Sequence, residues 1–206
     1  MKVFSLFMSA VAALMLLAGC GDGKKAGQAK TFTVGFDADF PPYGYVENGV
    51  MKGFDLDLAR EVAKRNQWEV VLKPINWDSK DMELRTGMID CIWNGFTING
   101  REEDYTWSTP YVDNSQVVIV RRDSNIKKLE DLADKVVAVQ ADSSALAALT
   151  GDEADPKNVE LAQSFDTLQQ VSDYNSAFMN LEVGAVDAIC MDIGVAQYEI
   201  ESRGDA

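Results

Sequence analysis

Apolar and polar residues follow two different rhythms along this chain. From Thr31 the stretch TFTVGF alternates with period two, the pattern of a strand half-buried in a sheet. In FDLDLAREVAKRN, Phe54, Leu58 and Val62 recur every fourth residue beside Ala59 and Ala63, which predicts one apolar face of a helix. WEVVLKPI, SQVVIV, KVVAVQ and VELAQSF are short apolar runs that predict strands, and SSALAAL predicts a helix with serine at its N-cap. Strands alternating with helices predict an α/β fold whose parallel sheets are covered on both faces.

One pattern is written twice. MELRTGMIDCI begins at Met82 and MNLEVGAVDAI at Met179, and both fit M-x-L-x-x-G-x-[IV]-D-x-I. In each, an apolar helical end runs into a glycine, Gly87 or Gly184, placed where a left-handed C-cap stops a helix. A short apolar run then begins at Ile89 or Val186, which predicts a strand buried on both faces. One copy in each half predicts two α/β lobes; the other reading is a single doubly wound domain with an accidental echo. STPYVDNSQ, Ser108 to Gln116, lacks helical periodicity and suits an extended crossing between lobes.

Ligands of open parallel sheets gather beyond the carboxyl ends of strands. After the first copy come Asn94, Gly95, Thr97 and Asn99, which offer close backbone approach and hydrogen-bonding groups, and Arg101, which offers a fixed cation. After the second comes Asp192, an anion. A guanidinium grips a carboxylate through two parallel bonds, and a carboxylate receives an ammonium. Together they are complementary to a zwitterion, a free amino acid. Each also has a plainer reading: Arg101 opens REED and would pair with its own neighbours, and Asp192 precedes IGVAQYEI as a helix N-cap would.

Composition removes much other chemistry. The chain has no histidine, so a Ser-His-Asp triad, a histidine-ligated zinc and a histidine general base are impossible. Cys20, Cys91 and Cys190 form no C-x-x-C pair, which argues against thiol redox and cysteine–zinc sites; Cys91 and Cys190 fall inside predicted strands as unpaired apolar fillers. A net charge of −14 argues against nucleic acid or an anionic membrane surface as partner. At the start, Lys2 is followed by sixteen uncharged residues and then Gly19-Cys20. That run is shorter than the roughly 20 residues of a membrane-crossing helix and predicts a secretory signal. Its LAGC end resembles the lipobox of bacterial lipoproteins, which implies lipidation of Cys20 and an anchor to the cell membrane; the alternative is a plain N-terminal anchor with an incidental cysteine. Residues 21–30 are polar and glycine-rich, a tether of about 17–19 Å.

From Thr31 onward the chain resembles the extracytoplasmic solute-binding proteins of polar amino-acid ABC importers. GFDLDLAREVAKR carries the resemblance most strongly, and GFDADFPPYGY, GFTINGREEDYTWSTPY, VVAVQADSS and VDAICMD follow the family's order. The resemblance implies a two-lobed, Venus-flytrap fold of type II, with lobe one over 31–112 and lobe two over 113–206. It implies that Arg101 binds the ligand α-carboxylate, with Thr97 beside it, and that Asp192 receives the α-ammonium. It places Ser143 and Ser144 at a helix start near the carboxylate, Phe40 and Trp77 against the ligand side chain, and Asp37 at a polar or cationic tip; Asn94, Gly95 and Gln140 complete the candidate set. The stretch between Thr97 and Arg101 is one residue shorter than in many relatives, and Asp142 stands where glycine is usual. For Phe40 and Trp77 the plainer reading is core packing.

The implied activity is binding without catalysis: a free polar amino acid (cationic, amide or cystine) is held by a monomer without cofactor or metal and passed to an ABC permease. The alternative is a dehydratase acting on prephenate-like acids, with Glu102 or Asp142 nominated as the acid. Because EIESRGDA follows Asp192 so closely, the resemblance also implies that the final part of lobe one is missing from this chain.

Overall fold

A computed structural model describes residues 29–204; the signal segment, Cys20 and most of the tether lie outside the described residues. The first strands are β1 (Thr31–Phe36), β2 (Asp39–Phe40), β3 (Gly44–Glu47) and β4 (Val50–Lys52), followed by α1 (Phe54–Asn66) and β5 (Glu69–Pro74). A 3-10 turn at Trp77–Ser79 leads into α2 (Lys80–Arg85), then β6 (Cys91–Ile92). After a long crossing come β7 (Gln116–Val120), β8 (Val136–Gln140), α3 (Ser144–Thr150), α4 (Pro156–Gln163), β9 (Thr167–Val171), α5 (Tyr174–Glu182), β10 (Ala188–Asp192) and α6 (Ile193–Arg203).

These elements form two lobes. Lobe one is built on a parallel sheet in the order β5-β1-β6, with a small antiparallel sheet β2-β3-β4 at its margin. Lobe two is built on β7-β10-β8-β9, where β10 runs parallel to β8 and antiparallel to β7. Its central strand β10 is buried along its whole length, as an apolar run between two helical layers requires. Ile189 and Met191 pack on one face with Tyr174, Phe178 and Val195, while Ala188 and Cys190 pack on the other with Leu132, Val137 and Leu149. Phe40 and Tyr43 of lobe one join the first of these clusters, so the lobes share apolar contact.

The doubled sequence gives a doubled joint, but the strand buried on both faces follows only the second copy, since β6 is two half-buried residues where β10 is five buried ones. In both copies the glycine takes the left-handed conformation after the helix, with φ of 71° at Gly87 and 75° at Gly184. In both, the residues after the glycine return to a helix carbonyl: Met88 and Ile89 to Glu83, Ala185 and Val186 to Asn180. The shared aspartate has one task performed twice. The Asp90 N–H donates to the Thr33 carbonyl at 2.7 Å, and its carboxylate accepts from the Thr33 N–H, also at 2.7 Å. Asp187 makes the same pair of bonds with Val136, at 2.8 and 3.0 Å. Each aspartate thus stitches the incoming strand to its parallel neighbour, which neither an apolar residue nor a cation at that position does.

Two expectations are corrected. VELAQSF is not a strand: Val159–Gln163 belong to α4, where the Asp155 side chain accepts from the Lys157 N–H and Pro156 occupies the first turn. The apolar face of α1 is also displaced. Leu56, Ala59 and Ala63 are buried, Leu58 and Val62 are half-buried, and Phe54 lies exposed against Tyr111. The buried face includes the carboxylate of Asp55, which accepts from the Gly95 N–H at 2.5 Å and the Tyr111 hydroxyl at 2.9 Å. Burial raises its pKa to about 6 against those hydrogen bonds.

Candidate functional site

The carboxyl ends of β1, β6, β8 and β10 converge where the lobes meet. Asp192 ends β10 and precedes α6, yet its side chain does not cap that helix. Its Oδ1 accepts from the side-chain amides of Asn114 and of Gln116, the latter at 2.8 Å, and its Oδ2 from the Tyr174 hydroxyl at 3.4 Å. The N-cap alternative is therefore set aside by the geometry. Burial raises the Asp192 pKa, with the Gln116, Asn114 and Tyr174 bonds opposing it; three neutral donors hold the carboxylate, and no cation among the described residues pairs with it.

Arg101 lies in the loop beyond β6. Its guanidinium stacks on the Phe96 ring, 5.0 Å from its centre. Nη1 donates to the Thr97 carbonyl at 3.4 Å and to the Ser144 hydroxyl at 3.1 Å, and Nη2 donates to the Asp142 carbonyl at 3.1 Å. It points across to lobe two rather than along its own REED segment. Asn114 links the two charged ends, since its amide also donates to the Thr97 hydroxyl at 3.3 Å.

One narrow gap joins these groups. Phe40, Trp77, Asn94, Gly95, Thr97, Gln140, Ser143, Ser144 and Asp192 line it together with Phe96, and its volume is about 10 Å³, room for one water. Nine of the eleven candidate ligand residues therefore meet at one place. Arg101 flanks the gap through Thr97 and Ser144. Ser143 caps α3, its hydroxyl accepting from the Leu146 N–H at 3.1 Å. Phe40 and Trp77 are buried at the lobe contact, so for them packing and cleft lining are the same position.

Asp37 stands behind the gap. It is buried, and its carboxylate accepts from the Asp39 N–H at 2.9 Å and from Gln140 of lobe two at 2.6 Å. Burial raises its pKa to about 6, the Asp39 and Gln140 bonds opposing this. With Asp39, Glu83, Asp173 and Trp77 it lines an acidic hollow of about 370 Å³. Asn94 is committed to structure: its side-chain oxygen accepts from the Asp37 N–H at 3.1 Å. Cys91 and Cys190 are unpaired, and burial pushes both thiols up to about 12, which leaves them protonated and inert.

The chain matches the bacterial extracellular solute-binding proteins, family 3, over residues 32–167. It belongs to that family. The members of that family are described as extracellular solute-binding proteins. The chain is 28% identical over 146 residues to the arginine-binding extracellular protein ArtP of Bacillus subtilis, covering 69% of this chain and 57% of that protein. It is 30% identical over 172 residues to the L-cystine-binding protein TcyJ of Escherichia coli, covering 82% of this chain and 61% of that one. It thus spans about three-fifths of the length of these family members. Among solved structures, an ABC uptake transporter substrate-binding protein from Streptococcus pneumoniae with bound histidine superimposes with a TM-score of 0.77 at 32% identity, covering 84% of this chain and 70% of that one. An ancestral amino acid-binding protein described as a precursor of cyclohexadienyl dehydratase superimposes with a TM-score of 0.74 at 31% identity, covering 84% and 74%.

Sequence patterns missed Phe96, Asn114, Gln116 and Tyr174. Gln116 faces Asp192 because β7 runs antiparallel to β10 and pairs those two residues in register. Nothing local announces that pairing. Tyr174, directly after the Asp173 N-cap of α5, looks like an ordinary core aromatic.

Proposed function

We propose that this protein binds a free polar amino acid outside the cytoplasmic membrane and delivers it to an ABC permease, with Arg101 receiving the α-carboxylate and Asp192 the α-ammonium. The observation that carries the reading is a buried carboxylate, freed from its capping role and without a cation beside it among the described residues, in a gap flanked by a guanidinium that is bonded to two of its lining residues, Thr97 and Ser144. Ser144 and Thr97 stand between them at the carboxylate end, and the aromatic rings of Phe40, Trp77 and Phe96 take the side chain. The acidic hollow behind Asp37 favours a cationic side chain, and the arginine- and histidine-binding relatives support the same class. A thermal-shift screen of the twenty amino acids with cystine and ornithine tests the reading, because a ligand bound only by the folded state raises its stability. No shift with any of them ends it.

The dehydratase reading gains nothing from its two nominated acids. Glu102 is exposed, and the Asp142 carboxylate is engaged by Lys80; neither is a buried acid poised over a leaving hydroxyl.

The reading has a pH signature. Asp37 ionises near pH 6, and a cationic side chain needs it ionised. Affinity for L-arginine is therefore expected to rise about tenfold from pH 5 to pH 7, beyond any change shared by L-glutamine, when both are followed by calorimetry. Equal pH profiles for the two ligands remove Asp37 from the side-chain site. Stability of the protein alone runs the other way. A buried acid whose pKa is raised keeps its full contribution below pH 4 and loses it as pH climbs through 6, and Asp55 adds to the same trend.

The proposal includes a lipid anchor at Cys20, supported by the LAGC segment and the short apolar run before it. Cys20→Ser is expected to move the protein from the membrane fraction to the soluble one; retention on membranes removes Cys20 as the anchor.

A further inference from the structure

Asp142 has a backbone conformation that favours glycine. It sits between β8 and α3 at φ 54°, in the left-handed region where aspartate is tolerated and most residues are strained. It belongs to lobe two, yet its polar groups are taken by lobe one. Its carbonyl accepts from the Trp77 indole N–H at 3.2 Å and from Arg101 Nη2 at 3.1 Å. Its carboxylate pairs with the ammonium of Lys80, the first residue of α2. Three donors from one lobe thus converge on one residue of the other.

Lys80 is the unusual member. Its side chain is 1% exposed, while that of Asp142 remains 47% exposed. The ammonium lies 5.1 Å from the centre of the Trp77 ring and 5.6 Å from that of Phe96, two of the three aromatics that line the gap. A buried ammonium is costly without a counter-charge, and among the described residues its counter-charge comes from the opposite lobe. Parting the lobes breaks the ion pair and both carbonyl contacts together and returns Lys80 to water.

We propose that Asp142 and Lys80 are a clasp that holds the lobes together over the bound amino acid and sets how slowly it leaves. Neither residue lines the gap, and both are positioning residues. Asp142 acts through Arg101 and Trp77, whose polar hydrogens it holds from the lobe-two side, and Lys80 acts through Asp142. The proposal rests on the amino-acid reading above. Its contacts must break before the ligand escapes but are not needed for first encounter, so it acts on dissociation.

The test uses Asp142→Asn, which keeps the left-handed backbone and the carbonyl while removing the charge, Lys80→Met, which keeps the apolar stem, and the double variant. Release of L-arginine is followed by stopped-flow Trp fluorescence. Each single variant is expected to release about tenfold faster with association little changed, and the double variant no faster than either single, because the two act as one unit. Release at the wild-type rate in Asp142→Asn, or a double variant whose acceleration is the product of the two singles, overturns the clasp. Small-angle scattering of the protein without added ligand covers the case in which wild type binds no arginine, a result that counts against the amino-acid reading alone. A larger radius of gyration in Asp142→Asn than in wild type then supports the clasp, and an unchanged one overturns it.

Discussion

Arg101→Ala is expected to weaken amino-acid binding by at least about a hundredfold, beyond detection by calorimetry if wild-type affinity is micromolar. A carboxylate held by a guanidinium gains charge-assisted bonds of roughly 1.5–3 kcal/mol each, and two of them together reach that factor. The guanidinium is already oriented for the task. Phe96 supports its flat face, and Ser144 and the Asp142 carbonyl fix its edge from the opposite lobe. Alanine removes the charge, the fork and the cross-lobe contacts at once. Arg101→Lys is expected to recover little, since an ammonium keeps the charge and loses the planar two-pronged grip. Binding unaltered in the alanine variant removes Arg101 from the site.

Asp192→Asn is expected to separate binding from stability. The carboxylate is buried among neutral donors, and burial raises its pKa, so ionised Asp192 destabilises the protein alone at neutral pH. Asparagine has the same shape, accepts from Asn114 and Gln116 through its oxygen, and offers an N–H to the Tyr174 oxygen. Its melting temperature is expected to exceed that of wild type. Binding moves the opposite way, by about a hundredfold or more, because an ammonium loses its only anionic partner in the gap and meets an amide N–H. A variant that melts lower and binds as before refutes both halves of this account. Strain of this kind, relieved when the ligand arrives, is what a binding site stores and a purely structural carboxylate does not.

Much of the architecture was legible because it is local. The helix–glycine–strand joint at Met82 and at Met179 depends on residues within one or two turns of each other, and both copies fold alike, down to the bonds of Asp90 and Asp187. The error at VELAQSF was also local and avoidable: Asp155-Pro156 is a strong helix start, and its apolar content alone does not separate a strand from a helix. The misplaced face of α1 has a different cause. Phe54 opens the apolar period in the sequence but lies exposed, while Leu56, Ala59 and Ala63 are buried, and only tertiary packing decides which stripe of a short helix is covered.

The site divides along the same line. The residues following each repeated strand were identifiable by themselves, because strand order places carboxyl ends at a cleft whatever the details. Whether the Asp192 side chain caps a helix was not decided by its neighbours in the chain; Gln116 and Tyr174 hold it away from α6, through the pairing of β7 with β10 and the packing of α5. The clasp lay still further from view, since it joins Lys80 to Asp142 across two lobes. What the sequence by itself determined is most of the elements and the doubled helix–glycine–strand joint, because spacing along a chain controls helices, strands and their ends. What only the tertiary structure decided is which charges are left without a counter-charge and which are locked across the gap, because burial and distance between remote segments set electrostatic energy.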